Sequence, residues 1–97
     1  MTVVSVLRLP VRSGSEEALV RAFAELEIFR HSQESGGFLG GRLLRPHSGA
    51  AFLVIAEWES DRAYRGWLQN PVREELGAHI EPLLDGDIQA GELYEDG

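Results

Sequence analysis

Three aromatic side chains able to bind or polarise a ligand gather in the stretch FLVIAEWESDRAYRGWL, which carries Trp58, Tyr64 and Trp67. The indole Nε1–H of Trp58 and the phenol of Tyr64 are donors on apolar bodies, suited to stabilising negative charge where water is excluded. Further along, His79 stands on an apolar stripe, and an imidazole that titrates near neutrality can take or relay a proton. Each residue also has a plainer reading. Trp58 and Trp67 suit a packed core, Tyr64 an amphipathic helix with a wet hydroxyl, and His79 a rim. The residue types leave open whether the rings fill a core or line a chamber for an aromatic substrate.

Composition removes many other chemistries. The chain has no cysteine and no lysine, which excludes thiolate metal sites, a cysteine nucleophile and Schiff-base catalysis. His31, His47 and His79 are far apart, and neither a G-x-S-x-G elbow nor a phosphate-binding glycine loop occurs. A metal enzyme, a serine hydrolase or a nucleotide-dependent enzyme therefore has no support in the residues. A net charge of -7 with no basic run argues against nucleic acid and anionic membranes. No apolar run approaches the roughly 18 residues of a membrane span, so a cytoplasmic location is expected.

The elements that must position these groups follow from periodicity. Val3 to Val11 reads as a first strand. Ser13 and Glu16 form an S-x-x-E capping box ahead of a long helix with Leu19, Ala22, Phe23, Leu26 and Phe29 on one stripe, closed by Gly36 and Gly37. Phe38 to Arg45 and Ala51 to Glu59 are the next two strands, with Gly40 and Gly41 marking a bulge or a close backbone approach. Ser60 caps a short helix, Asn70-Pro71 opens another that presents Val72, Leu76, His79 and Ile80, and Ile88 to Glu95 is a weaker final strand.

The order β-α-β-β-α-β, in one domain spanning 1–97, is that of a ferredoxin-like α+β fold with an antiparallel sheet. Helices cover one face of such a sheet, and an identical sheet from a second copy is the expected cover for the other. Period-two alternation puts Phe52, Val54, Ala56 and Trp58 on one face of the third strand and Leu53, Ile55 and Glu57 on the other. Either row could face the helices; Leu53 and Ile55 fit a helix-packed interior, in which case Phe52, Val54 and Trp58 wall a cavity closed by the partner sheet.

The run AEWESDRAYRGWL resembles the antibiotic biosynthesis monooxygenase family, whose members are small ferredoxin-like subunits paired as dimeric α+β barrels. Trp58, Glu59, Ser60, Ala63, Tyr64 and Arg65 are similar to the W-E-S-x-x-A-Y-R run of cofactor-independent oxygenases that turn anthrones into quinones. The resemblance implies a homodimeric, cofactor-free monooxygenase acting with O2 on a phenolic polycyclic aromatic substrate, with Trp58 and Tyr64 catalytic; His79, from its own chemistry, is the third catalytic candidate. Leu7, Phe52, Val54, Trp67 and Leu76 would then contact the substrate. Val54 stands where those oxygenases carry an asparagine, and their arginine on the later helix has no counterpart near Gly77 or Ala78. A second branch of the family degrades haem. Trp67 matches its tryptophan, but Leu7 stands in place of its asparagine, and His79 is displaced from its ligand position by more than half a helical turn. A non-catalytic binder of aromatic ligands with the same fold is the third alternative.

Overall fold

The computed structural model describes residues 2–48, 51–88 and 91–96. Strands β1 (Val3–Leu9), β2 (Phe38–Leu44), β3 (Phe52–Trp58) and β4 (Glu92–Tyr94) form one antiparallel sheet in the order β2-β3-β1-β4. Placing β1 beside β3, with the two outer strands added on either side, is the ferredoxin-like arrangement anticipated from the sequence. The final strand is shorter than expected, and Gln89 and Ala90 lie outside the described residues.

The helices α1 (Glu16–Glu25), α2 (Ile28–Ser35), α3 (Asp61–Leu68) and α4 (Pro71–Ile80) lie on one side of the sheet. The expected long first helix is broken between α1 and α2 by Glu27, which takes a left-handed conformation with φ 49°. Leu26 and Ile28 both pack against the core clusters. Two residues apart on a continuous helix point about 200° away from each other, so the break is what lets both face inward. Ser15 rather than Ser13 stands at the start of α1 and makes no side-chain cap. The Glu16 carboxylate instead accepts from the Gly14 N–H at 2.8 Å.

The other helix signals act as read. Ser60 Oγ accepts from Ala63 N–H at 3.2 Å, and Asn70 Oδ1 accepts from Val72 N–H at 3.0 Å with Pro71 in the first turn. Gly36 and Gly37 follow α2 with φ 97° and 75°. A side chain at Gly37 would also run into Ala63 of α3, so this glycine is needed for conformation and for space. The register shift in β2 falls between Phe38 and Gly40, while Gly41 lies under the Phe29 ring, where a Cβ would come within 2.6 Å.

Which sheet face the helices cover differs from expectation. In the β1–β3 register, Val3 pairs with Trp58, Ser5 with Ala56, Leu7 with Val54 and Leu9 with Phe52, and this row is the buried one under the helices. The opposite row contains Val4, Val6, Leu53 and Ile55 but also Arg8, Glu57 and Arg42. Burying those charges beneath helices would cost several kcal/mol each without partners, roughly, so the row without charges goes inward.

Candidate active site

A cavity of about 820 Å³ lies between the inner sheet face and the helices, inside a single chain rather than between two sheets. Such a volume is that of a small-molecule site, typically about 300–1,000 Å³. Leu7, Val54, Ala56 and Trp58 line it from the strands; Phe23, Ile28 and Phe29 from α1 and α2; Tyr64 and Trp67 from α3; and Arg73, Leu76, Gly77 and Ile80 from α4. Of the residues expected at a site, Trp58, Tyr64, Leu7, Val54, Trp67 and Leu76 are thus brought together.

Two are not. Phe52 is 1% exposed and lines a separate, smaller cavity behind this wall. His79 is exposed and stands outside the cavity lining. The reason is helical geometry, because Gly77 faces the cavity and a residue two further on points about 200° away. His79 is therefore not placed to exchange protons with a ligand in this cavity, contrary to the expectation from its apolar stripe.

Trp58 is held more firmly than the sequence indicates. Its ring centroid is 5.2 Å from that of Phe38 and 5.7 Å from that of Tyr64. Its Nε1–H donates to Ser5 Oγ at 3.1 Å, and Ser5 in turn donates to the Ala56 carbonyl at 3.5 Å. The indole N–H, expected to serve a substrate, is committed to the protein. Ser5 is buried and lines the cavity. Its signal in the sequence was a lone hydroxyl in the otherwise apolar row Val3, Ser5, Leu7, Leu9.

Tyr64 presents a buried phenol. Burial raises its pKa above 10.0, opposed by the positive charge of Arg73 and by a backbone hydrogen bond from Gly91. Gly91 is packed so closely that a Cβ would lie 2.7 Å from the hydroxyl oxygen. The phenol stays protonated at neutral pH and remains able to donate.

Arg73 was missed. It precedes Gly77 by four residues and so lies on the same helix face one turn earlier. Among the described residues Arg73 forms no ion pair, although acids outnumber arginines in the chain by 16 to 9. Half-buried on the cavity wall, it places a positive charge there with no carboxylate in ion-pair contact among the described residues.

Sequence comparison matches residues 2–78 to the family model described as antibiotic biosynthesis monooxygenase. The chain belongs to this family. Its relatives include a heme oxygenase (mycobilin-producing) of Mycobacterium tuberculosis, 35% identical over 89 residues, covering 89% of this chain and 82% of the relative. Among solved structures, a heme-degrading protein of Mycobacterium tuberculosis superposes with a TM-score of 0.68 at 27% identity, covering 98% of this chain and 93% of that one. SnoaB of Streptomyces nogalater, a cofactor-independent oxygenase, superposes with a TM-score of 0.75 at 22% identity over 99% and 93% of the two chains. At that identity the last likeness establishes the shared fold alone.

Two of these similar proteins act on haem, whose iron needs a ligand from the protein. The described lining of the cavity holds no histidine, cysteine or methionine, and Leu76 occupies the inward position of α4 beside Gly77. Its ionisable oxygen donors are the Tyr64 phenol and the Glu74 and Glu81 carboxylates, so the histidine, thiolate and thioether donors common on haem iron are absent from the described lining. More generally, the described residues contain no group of three or more side chains able to hold a metal ion. None of the described helices is long and apolar enough to cross a membrane.

Proposed function

We propose that this chain is a monooxygenase that uses O2, without metal or flavin, to oxidise a flat phenolic polycyclic aromatic of the anthrone type. The observation that carries the reading is Arg73, the one cationic side chain among the described residues lining a largely apolar, aromatic-walled cavity, with no ion pair among those residues. Apolar walls suit a ring system, and a half-buried cation suits the anion that such a ring system forms when it loses a proton.

Direct reaction of triplet O2 with a singlet organic molecule is spin-forbidden, so one electron must move first. A delocalised carbanion can supply that electron itself. The substrate methylene loses a proton, the anion reduces O2, and the resulting radical pair combines to a peroxide bonded to that carbon. Loss of water from the peroxide leaves a carbonyl. In sum the carbon gives up two hydrogens and gains one oxygen, and the second oxygen departs as water.

This chain's residues serve the first step. Arg73 stabilises the anion, Tyr64 O–H donates to the phenolate edge, and Trp58, fixed by Ser5, backs the aromatic wall behind Tyr64. The proton leaves toward the cavity rim, where Gln69, Asn70, Glu74 and Glu81 stand. Metal-free protein is expected to consume O2 with an anthrone in equal amounts and to release the quinone. Absence of uptake above the uncatalysed rate would refute the reading.

A second reading, degradation of haem, is favoured by the 35% identity to the mycobacterial heme oxygenase. It predicts a Soret band on adding haem that is abolished in His79→Ala. The exposed position of His79 leads us to expect a spectrum indifferent to that substitution.

The outer sheet face, with Val4, Val6, Leu53 and Ile55 only half-buried, is assigned to a second copy of the chain. Sedimentation at twice the 10.7 kDa chain mass is the expected result, and a monomer at micromolar concentration would exclude it.

A further inference from the structure

A second cavity, of about 460 Å³, opens between α1, α2 and the edge formed by β2 and β3. Its apolar walls include Val20, Leu43 and Phe52, and its one charged lining residue is Arg45. The guanidinium carbon lies 6.0 Å from the centre of the Phe52 ring. Phe23 and Phe29 line this cavity and also the main one. The two cavities therefore share a wall made of the same two rings.

The construction of that wall matters. Phe23 comes from α1 and Phe29 from α2, on either side of the left-handed Glu27, and their centroids are 5.9 Å apart. Phe29 in turn stacks on Phe38 at 6.0 Å and lies over Gly41, where no side chain competes for the space. The two rings are packed against each other here, so a ligand group that joins the cavities must turn them aside.

Beyond the rings, an apolar bore ends at a cation. Arg45 is paired with Glu17 at 2.6 Å, but the two side chains are 50% and 71% exposed. An ion pair so wet contributes little and can be exchanged for another carboxylate. The shape and charge therefore fit an apolar arm that terminates in an anion.

We propose that the second cavity is a side-arm subsite. Its ligand is a flat polycyclic aromatic whose rings occupy the main cavity and whose short apolar arm passes between Phe23 and Phe29 to set a carboxylate on Arg45. The proposal rests on the reading of the main cavity given above and adds to it the class of substrate, an aromatic acid rather than a neutral ring system.

Binding can be followed without turnover. Both tryptophans of the chain, Trp58 and Trp67, line the main cavity, so quenching of their emission reports ring occupancy there. The ligands are a dihydroxyanthraquinone bearing a carboxyalkyl arm and the methyl ester of the same compound. The acid is expected to bind about tenfold more tightly than the ester, although a chain of net charge -7 repels anions at long range. Arg45→Gln should abolish that preference. Glu17→Gln, which removes the competing carboxylate, should tighten the acid and leave the ester unchanged.

Equal affinities for acid and ester, or a preference that survives Arg45→Gln, overturn the side-arm subsite while leaving the main cavity's ligand class intact. If neither compound quenches, the reading of the main cavity itself fails, and the subsite with it.

Discussion

Trp58→Ala is expected to lower the unfolding free energy by about 3–5 kcal/mol, the range for truncating a buried large aromatic. For a chain of this length the total is on the order of 5–15 kcal/mol, so the variant should sit near the edge of stability. The magnitude follows from position. Trp58 is 1% exposed, touches Phe38 and Tyr64, and holds β3 to β1 through Ser5. Truncation also strands part of the Ser5 hydroxyl's bonding in a buried place.

Trp58→Phe separates the two contributions. It keeps most of the ring packing and loses the N–H, while Ser5 keeps its bond to the Ala56 carbonyl. A loss of about 1–2 kcal/mol is expected. Urea unfolding of the three proteins measures both values. If the phenylalanine variant is as unstable as the alanine one, the indole's role lies in its hydrogen bond rather than its bulk.

This wall residue illustrates what a sequence discloses and what it withholds. Alternation along β3 identified the row Phe52, Val54, Ala56 and Trp58, because side-chain period in a strand is fixed at two. Parity says which residues share a face, but the face that takes the helices is decided by the neighbouring strands. Here it was the charges Arg8, Glu57 and Arg42, scattered over three strands, that forced the other row inward. Read across the sheet instead of along one strand, they would have placed Trp58 under the helices.

Local chemistry was legible wherever its cause was local. Ser60, Asn70-Pro71 and the Gly36-Gly37 pair each act within a few residues of themselves, and each does what its type suggests. The break at Glu27 was hidden because no proline or glycine marks it. It arises from two apolar residues, Leu26 and Ile28, that must both reach the core. Ser5 meets Trp58 across 53 positions of sequence, a separation at which only coordinates show a hydrogen bond.

The candidate site follows the same division. Tyr64 and Trp67 could be read together because a single short helix presents both, three residues apart, and both line the cavity. His79 continues the same stripe by a three-residue step from Leu76, yet it stands outside the cavity lining. Only the position of the sheet relative to α4 distinguishes the two residues.

Arg73→Gln is the substitution expected to affect turnover most. On the proposed reading Arg73 is the charge that stabilises the substrate anion, and loss of one such group from a preorganised site lowers kcat/KM by about 10²–10³-fold. Arg73→Lys, which keeps the charge and gives up the planar fork, should recover part of the loss. The pH dependence should move as well. Without the guanidinium the substrate ionises at higher pH, so the rising limb of the rate profile shifts to the alkaline side. Tyr64 supplies an internal check, since Arg73 is one of the two influences that oppose the raising of its pKa by burial. In Arg73→Gln the phenol must titrate still further above 10.0, as read from tyrosinate absorbance. The sign for stability is fixed by the same shift. A folded-state pKa above the unfolded value means that the native protein holds the proton more tightly, so stability is complete below pH ~10 and falls as pH rises toward the folded-state value. A rate profile and a Tyr64 titration that both stay where they are in the unaltered protein would show that Arg73 does not face the cavity electrically, and would leave the anion without a partner.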